Sequence, residues 1–369
     1  MNHYQSNLNL AELCQLTRLA GHIVVTSHAK PDGDAFGSVV ALSTALTRLG
    51  ATVSPWLIPP VPTQFKQIRG WSTVSFYEPS ATIGQPDLVI VLDTGAWSQM
   101  AAMRSDLSRL LDRTMIIDHH LTGDIPARWQ YIDPQAAACC EIVAQIIDHL
   151  AMGEPGTKNH HDLLTPIVCE ALFVGLATDT GWFRFSNTRP QTHELAAKLL
   201  RLGVDHAQLY KKIEQAERIE KLTLITRALE SINIVADGRA AIMVLRERDF
   251  LESGTVMEET ERLVDIPQIV STIQLVALVT EPPRIAELSG RGNPSSTEGD
   301  EPPRPSTRLS FRSKPGSDAV DVSRLAEQFG GGGHARAAGA KVDAPIDQVI
   351  DQVTQRVEAA MAEVSATKP

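Results

Sequence analysis

The stretch HIVVTSHAKPDGDAFGSVVALSTALTRLG, residues 22–50, decides the fold. Its first six residues are mostly apolar and β-branched, as in a buried strand, and residues 35–49 carry apolar side chains at helical spacing. Gly50 suits the end of that helix, because glycine adopts the left-handed conformation in which many helices terminate. A strand that leads through a short polar loop into a helix predicts a parallel α/β sheet.

The same alternation continues through the first 180 residues. Further strands are predicted at residues 52–57, 87–92 and 114–117, and helices at 139–150, 163–177 and 190–202. An amphipathic leucine pattern over residues 10–19 predicts an initial helix, and residues 205–234 are rich in helix-forming residues. We therefore expect an α/β fold whose N-terminal domain, residues 1–185, is a parallel sheet with helices on both faces. A helical connector should follow at 186–237.

The pattern changes after Gly238. The segments AAIMVL (240–245), IVSTIQLVALV (269–279) and STRLSFRS (306–313) are predicted strands, and residues 345–364 form a closing helix. A smaller C-terminal α/β domain is thus expected over residues 238–369. The segment 289–305, SGRGNPSSTEGDEPPRP, is rich in glycine, proline, serine and acidic residues, a composition that predicts a disordered insertion.

Composition limits the classes of function. The chain has 369 residues, of which 43% are hydrophobic, and a formal net charge of −10. It contains no apolar run of 18 residues and no signal pattern at its start, which predicts a cytoplasmic protein without a membrane partner. The four cysteines lack metal-binding spacing and are expected to be buried, reduced thiols. The acidic balance argues against long duplex nucleic acid as a partner, because wrapping a duplex needs many basic residues.

Aspartate and histidine side chains follow successive predicted strands. The carboxyl ends of parallel strands meet at one edge of a sheet, where ligands bind. These side chains should therefore converge, together with an aspartate that follows the apolar stretch 163–177. The residues concerned are His28, Asp32 and Asp34, then Asp93, then Asp118, His119 and His120, and finally Asp179.

Convergence of four aspartates is costly without counter-ions. Two like charges about 4 Å apart repel by roughly 4 kcal/mol at an effective dielectric constant of 20. Such a group takes up protons or binds cations. Two divalent ions would match four carboxylates, and imidazole with carboxylate oxygens suits Mn²⁺, with Mg²⁺ or Co²⁺ as alternatives. Two metals about 3.5–4 Å apart form a clamp for displacement at phosphorus.

Each of these residues alone also has an ordinary structural interpretation. Aspartate at a strand end often caps the next helix, and Asp34 would do so for the helix over residues 35–49. The tripeptide Asp93-Thr-Gly would serve as a simple turn. A single histidine such as His28 is more often a hydrogen-bonded polar residue than a ligand. It is their recurrence at successive strand ends that favours a metal site.

The sequence resembles the DHH phosphoesterase superfamily at these residues. The superfamily is named for the motif that stands here as Asp118-His119-His120, and the other acidic motifs occur in its order. The C-terminal part resembles the DHH-associated substrate-binding domain, through a glycine run followed by His334. The resemblance covers nearly the whole chain, and the layout is most similar to the nanoRNase and pAp-phosphatase group. Members of that group degrade oligoribonucleotides of a few residues and 3′-phosphoadenosine 5′-phosphate (pAp).

The resemblance implies roles residue by residue. Asp118 and His120 would support catalysis, with Asp118 orienting a metal ligand and His120 facing the substrate phosphate. Arg312 and Ser313 stand where the family has an Arg-Ser pair that binds phosphate. The implied metal ligands are His28, Asp32, Asp34, Asp93, His119 and Asp179.

The glycine run at residues 330–333 has its own physical interpretation. Successive glycines let backbone N–H groups approach an anion without intervening side chains. Gly331, Gly332 and Gly333, followed by His334 and Arg336, would then bind substrate phosphate. The alternative is a flexible linker, which glycine runs often form.

The sequence and the resemblance together predict a two-metal phosphoesterase acting on RNA of about 2–5 nucleotides and on pAp. A phosphodiesterase for cyclic or linear dinucleotides would use the same site. A single-strand exonuclease of long chains would need a more basic groove, and a pyrophosphatase would have a different C-terminal domain. A nucleotide sensor without turnover is the non-enzymatic alternative. A homodimer is compatible with the resemblance, although no residue identifies an interface.

Overall fold

The computed structural model describes residues 4–78, 83–152, 162–284, 305–316 and 319–366. The chain forms two compact units, Met1–Ala216 and Glu217–Pro369. The residues 186–237 that were predicted as a connector are therefore shared between the two units. The predicted insertion at 289–305 falls almost entirely outside the described residues.

The first unit is built on a six-stranded sheet in which every pairing is parallel. The order is β3-β2-β1-β4-β5-β6, so the chain starts in the middle, runs to one edge and then returns to fill the other half. The predicted α/β class is confirmed. The strands are β1 (His22–Ala29), β2 (Thr52–Ile58), β3 (Ser75–Phe76), β4 (Leu88–Leu92), β5 (Thr114–Asp118) and β6 (Trp129–Ile132).

Helices cover both faces of this sheet. One face carries the larger core, in which α2 packs against α5 through side chains such as Phe36 and Leu172. The other face is covered by a smaller cluster that includes Met103 and Leu107. The helices of this unit are α1 (Leu10–Leu19), α2 (Gly33–Arg48), α3 (Arg104–Leu107), α4 (Cys139–Ala151), α5 (Pro166–Asp179), α6 (Pro190–Arg201) and α7 (His206–Glu214).

The second unit contains a mixed sheet in the order β11-β12-β10-β9-β8-β7. Only β8 and β9 are paired in parallel; the other pairings are antiparallel. The strands are β7 (Asn233–Val235), β8 (Ala240–Leu245), β9 (Leu275–Thr280), β10 (Thr307–Ser313), β11 (Gly332–His334) and β12 (Ala337–Val342). The helices are α8 (Ile219–Glu230), α9 (Glu247–Ser253), α10 (Val322–Glu327) and α11 (Ile346–Ala366).

Some predicted elements were wrong in extent. Residues 205–234 are not one helical stretch, because α7 ends at Glu214 and α8 begins at Ile219. The strand predicted at 269–279 begins only at Leu275, since Leu263–Ile269 forms a 3₁₀ helix that contains Pro267. The strand β6 was not predicted, because its sequence WQYI lacks the continuous apolar run that marks the four-residue segment 114–117.

Two further expectations concern the whole chain. All four cysteines are free and buried, as predicted. Among the described residues, no helix is both long enough and apolar enough to cross a membrane.

Candidate metal centre

The strand order of the first sheet creates a crevice at the carboxyl ends of β1 and β4. After β1 the chain goes on to β2 on one side of this strand pair, and after β4 it goes on to β5 on the other side. Open α/β sheets bind ligands at the point where the strand order reverses in this way. His28 lies near the end of β1 and Asp93 directly follows β4. Their side chains meet, with His28 Nε2 3.4 Å from Asp93 Oδ2.

Asp93 lies at the centre of the cluster in an unusual backbone conformation. Its φ is 61°, in the left-handed region that few residues other than glycine adopt. Its side chain is 3% exposed. Asp93 Oδ1 is buried without a hydrogen-bond partner among the described residues, although His119 Nε2 lies 3.3 Å away. A buried carboxylate oxygen without a donor is costly unless a cation satisfies it.

The two imidazoles that face Asp93 are oriented alike. His28 Nδ1 lies 3.0 Å from the carbonyl oxygen of Ala29, and His119 Nδ1 lies 3.2 Å from that of Ala136. Each Nδ1 therefore serves as the donor to the backbone, which leaves Nε2 directed at the carboxylates. A histidine that ligates a metal is held in the same way, with one ring nitrogen fixed by a carbonyl.

His119 connects Asp93 to two further carboxylates. Its Nε2 lies 3.9 Å from Asp34 Oδ2 and 3.7 Å from Asp179 Oδ2. Asp179 is the last residue of α5, and its backbone carbonyl accepts a hydrogen bond from the side chain of Asn187. Three different segments thus deliver carboxylates to one imidazole.

Asp34 is held by the N-terminus of α4. Its carboxylate is 1% exposed and accepts hydrogen bonds from the backbone N–H groups of Cys139 and Cys140, at 2.5 and 2.8 Å. The N-cap residue of α4, Ala138, makes no side-chain hydrogen bond to the helix. Asp34, from a distant segment, therefore accepts the hydrogen bonds of the first N–H groups of α4. Asp34 therefore does not cap its own helix α2.

Asp32 caps α2 instead. Its Oδ1 accepts hydrogen bonds from the backbone N–H groups of Asp34 and Ala35, both at 3.0 Å. The same oxygen lies 3.9 Å from His28 Nε2, and the side chain is 58% exposed. Helix capping and membership of the cluster are compatible, because capping occupies only one of the two carboxylate oxygens.

The electrostatics of the cluster show what the crowding costs. Burial, together with the charges of Asp93 and Asp179, raises the pKa of Asp34 far above its ordinary value. Burial and Asp93 raise the pKa of Asp179 to about 6. Burial alone would lower the pKa of His28, but the hydrogen bond and charge of Asp93 outweigh it and raise that pKa to about 9. Without metal, the raised pKa values of Asp34, Asp179 and His28 mean that bound protons offset part of the negative charge of the cluster.

The donor set fits divalent cations. Three overlapping groups each bring ligand atoms within 4.8 Å of one another. Carboxylate oxygens and imidazole nitrogens suit Mn²⁺ and similar ions, and Asp93 belongs to two of the groups. The groups are His28 with Asp32 and Asp93, Asp34 with His119 and Asp179, and Asp93 with His119 and His120.

Asp118 lies beside the cluster and contacts His120, which itself belongs to one of the three groups. Asp118 is fully buried, and its Oδ1 lies 2.7 Å from His120 Nδ1. This hydrogen bond leaves Nε2 of His120 free to face a substrate, and the ring is 46% exposed. The other oxygen, Asp118 Oδ2, accepts a hydrogen bond from the Tyr4 hydroxyl at 2.5 Å. Burial raises the pKa of Tyr4, so the phenol keeps its proton and acts as the donor.

Tyr4, Asn187 and the α4 anchor of Asp34 were not predicted from the sequence. The Tyr4 contact joins residues 114 positions apart, and no motif or spacing in the sequence indicates it. The anchor of Asp34 spans 105 positions. Only the tertiary fold shows either contact.

The predicted phosphate-binding residues lie in the second unit. Arg312 on β10 is part-exposed, and its Nε lies 3.2 Å from Asp265 Oδ1. Ser313 is buried, and its hydroxyl donates to the carbonyl of Val320 at 2.7 Å. That hydroxyl is engaged within the protein, so Ser313 holds β10 to the segment before α10. Arg336 donates to the same carbonyl at 3.1 Å while remaining exposed.

The glycine run begins an ordered hairpin and is not a flexible linker. Gly332 to His334 form the edge strand β11, which pairs with β12. A Cβ on Gly331 would lie 2.2 Å from the carbonyl oxygen of Gly339, and one on Gly333 would lie 2.6 Å from that of Ala337. Close packing therefore requires glycine at both positions. A Cβ on Gly332 would meet no heavy atom within 4 Å, and His334 is exposed.

Comparison with protein families identifies two domains. Residues 22–176 match the DHH family, N-terminal domain, and residues 295–363 match the DHHA1 domain. The first match contains every candidate ligand except Asp179. The second contains Arg312 and the glycine run.

Similar proteins are known from several bacteria. The bifunctional oligoribonuclease and PAP phosphatase NrnA of Thermus thermophilus is 27% identical over 345 residues, which cover 93% of this chain and 91% of that protein. The protein of the same name from Bacillus subtilis is 25% identical over 332 residues, or 90% and 92% of the two chains. A crystal structure of an exopolyphosphatase-related protein from Bacteroides fragilis shares the fold. Its TM-score is 0.82 at 21% identity, with 96% and 97% of the chains covered.

Proposed function

We propose that this chain, a hydrolytic phosphoesterase with a DHH domain and a DHHA1 domain, uses two divalent metal ions to cleave short oligoribonucleotides and pAp. The observation that carries the metal dependence is the cluster around Asp93, whose Oδ1 is buried without a hydrogen-bond partner in the part of the chain that the structure describes. The substrate class is supported by the similarity to the NrnA proteins along most of the chain. Hydrolysis would release mononucleotides from RNA of about 2–5 nucleotides, and AMP and phosphate from pAp.

The proposed ligands follow from the cluster. Asp93 would help to hold both ions, because it belongs to two of the three groups of ligand atoms. When bound, the ions supply Lewis-acid stabilisation of charge on the phosphate and ease the deprotonation of water. The chain would hold them through His28, Asp32, Asp34, Asp93, His119 and Asp179.

Several residues of the first unit would orient the side chains that bind the metals and the substrate. Asp118 accepts a hydrogen bond from His120 Nδ1 and raises the pKa of that imidazole, so that the protonated ring can donate from Nε2–H to an oxygen of the substrate phosphate. The backbone carbonyls of Ala29 and Ala136 fix the ring planes of His28 and His119. The α4 N-terminus keeps Asp34 in one rotamer. These contacts orient the catalytic side chains before the substrate binds, so less conformational entropy is lost when the substrate and these groups reach the reactive arrangement.

The second unit would bind the substrate. Arg312 would pair with a phosphate through its planar guanidinium, and Asp265 would hold that guanidinium in place. His334 and the open position at Gly332 offer an exposed donor surface. Ser313 would act only through β10, because its hydroxyl is already engaged. The net charge of −10 favours small substrates over long duplexes.

A substrate panel tests the proposed function. Metal-stripped protein would be incubated with end-labelled RNA of 2, 3, 5 and 24 nucleotides, with pAp and with cyclic di-AMP, before and after addition of Mn²⁺. We expect Mn²⁺-dependent loss of the 2- to 5-mers and phosphate release from pAp. His119→Ala should be inactive, because its imidazole connects three carboxylates.

Two results of this panel would contradict the assignment. Cleavage of cyclic di-AMP alone would place the enzyme in second-messenger turnover while leaving the metal site intact. Equal rates on the 5-mer and the 24-mer would exclude selection for short chains.

Metal binding should release protons. The raised pKa of His28, about 9, means that its imidazole is protonated at pH 7 in the metal-free protein. A metal needs the neutral imidazole, so binding of Mn²⁺ must displace about one proton from His28. The apparent affinity of the protein for Mn²⁺ should therefore rise between pH 7 and pH 9. Calorimetry at pH 7 in two buffers of different ionisation enthalpy measures the number released. His28→Gln should release fewer protons, whereas a binding enthalpy independent of buffer would refute the expectation.

A further inference from the structure

The N-terminal segment, residues 4–9, lies along the edge of the first sheet. The backbone N–H of Asn7 donates to the carbonyl of Gln130 at 2.9 Å, and the backbone N–H of Gln130 donates to Asn7 Oδ1 at 2.8 Å. The Ser6 hydroxyl accepts from the N–H of Ile132 and donates to its carbonyl. These contacts pair the segment with β6, which would otherwise present unpaired backbone groups.

This pairing places the ring of Tyr4 against two loops of the candidate metal centre. Gly95 is in the loop after Asp93, and Gly123 is in the loop after His120. A Cβ on Gly95 would lie 2.1 Å from the Tyr4 hydroxyl oxygen, and one on Gly123 would lie 2.3 Å from its Cε2. The ring thus fills the space that side chains at these two positions would occupy. One aromatic residue ties together the loops that follow β4 and β5.

The hydroxyl of Tyr4 completes the hydrogen bonding of Asp118. Asp118 Oδ1 accepts from the backbone N–H groups of His119 and His120 and from His120 Nδ1, at 2.8, 3.2 and 2.7 Å. Its Oδ2 accepts from Tyr4 at 2.5 Å. Both oxygens are therefore engaged, and Tyr4 fixes the plane of the carboxylate that orients His120.

We propose that Tyr4 is a positioning residue of the active site, which acts on catalysis through Asp118 and His120. This inference rests on the proposed function, because it assigns His120 to the substrate phosphate. The N-terminal segment is then part of the catalytic apparatus as well as a cover for the edge of β6. In this role Tyr4 hydrogen-bonds Asp118 and does not contact the reacting atoms.

Tyr4→Phe in the full chain isolates the hydroxyl, because the ring still fills the space between Gly95 and Gly123. The Mn²⁺-loaded protein would be assayed with bis(p-nitrophenyl) phosphate, a general phosphodiester, and with pAp. The substitution leaves Asp118 Oδ2 without its donor, and we expect kcat to fall by about 10-fold with KM changed by less than about 2-fold. The general diester separates this inference from the proposed substrates. If the wild type cleaves the general diester but not pAp, that result contradicts only the proposed substrates, and the role of Tyr4 is still measured on the diester.

Tyr77→Phe is the matched control. The Tyr77 hydroxyl donates to Asp106 Oδ2 at 2.9 Å, in a buried contact of the same unit that involves none of the cluster residues. Its loss should lower the melting temperature and leave kcat unchanged. A kcat for Tyr4→Phe equal to that of the wild type would overturn the inference.

A double-mutant cycle tests the route through His120. In a His120→Ala background, Tyr4→Phe should have little further effect on kcat, because the side chain it helps to orient is gone. An equal fold-change in both backgrounds would show that Tyr4 acts on stability or on another group. That result would contradict a positioning role through Asp118 and His120.

Discussion

Asp93→Asn is expected to lower kcat on pAp and on bis(p-nitrophenyl) phosphate by about 1,000-fold, which corresponds to ~4 kcal/mol of lost transition-state stabilisation. Asp93 belongs to two of the three groups of ligand atoms, and both His28 and His119 direct their Nε2 atoms at it. Burial alone would raise the pKa of Asp93, but the neighbouring imidazoles outweigh burial and keep it ionised. Asparagine has the same shape without this charge, so metal binding should weaken together with turnover.

Asp87→Asn is the matched control for that substitution. Asp87 lies just before β4, at the opposite end of the strand that Asp93 follows, and it accepts hydrogen bonds from the backbone N–H groups of Gly21 and His22. Its substitution should change kcat by less than about 2-fold, since effects of surface substitutions are small. Metal content measured on both purified variants separates loss of metal from loss of chemistry. Full activity of Asp93→Asn would show that the cluster is not the catalytic centre.

Arg312→Ala is expected to lower kcat/KM for pAp by about 10- to 100-fold, mostly through KM. Charge-assisted hydrogen bonds to phosphate are worth about 1.5–3 kcal/mol, and a guanidinium offers two in parallel. Asp265, 3.2 Å from Arg312 Nε, holds the side chain, and Nη1 uses one of its two N–H groups on the carbonyl of Phe311 at 3.3 Å, so the other N–H of Nη1 and both of Nη2 are left for an anion. Arg312→Lys should restore less than half of the loss, because an ammonium lacks the planar pair of donors.

Arg308→Ala gives the control for charge. Arg308 lies four residues earlier on β10, on the same side of the strand, and is exposed. Arg308→Ala removes the same positive charge from the same unit as Arg312→Ala. If the positive charge of this unit acted on the substrate only in a general way, both variants would lose the same activity. We expect Arg308→Ala to keep kcat/KM within about 2-fold of the wild type. Equal losses for the two variants would refute a specific role for Arg312.

The architecture of the first unit could be predicted because its signals are local. The strand at residues 22–27 and the helix at 35–49 each show a clear period, and the ends of the observed β1 and α2 differ from them by at most two residues. Strand ends followed by aspartate or histidine indicate a common edge, and the structure brings those side chains together. The roles of the individual ligands stay predictions.

The contacts that orient the cluster could not be predicted, because they join distant segments. Asp34 was expected either as a ligand or as the cap of α2, but its partners are the N–H groups at the start of α4. Ser313 was expected to bind substrate, and only the fold shows that its hydroxyl donates to Val320. The glycine run at 330–333 looked equally like a linker, since a single sequence does not show the pairing of β11 with β12.

Phosphate release from pAp during a titration of Mn²⁺ into the metal-stripped protein tests the central claim most directly. The claim is that the cluster around Asp93 makes the chain a metal-dependent phosphoesterase. We predict no release without metal, a saturable rise in rate with Mn²⁺, and loss of that rise in Asp93→Asn. Turnover at the full rate in the metal-stripped protein, or a Mn²⁺ response that Asp93→Asn retains, would contradict the claim.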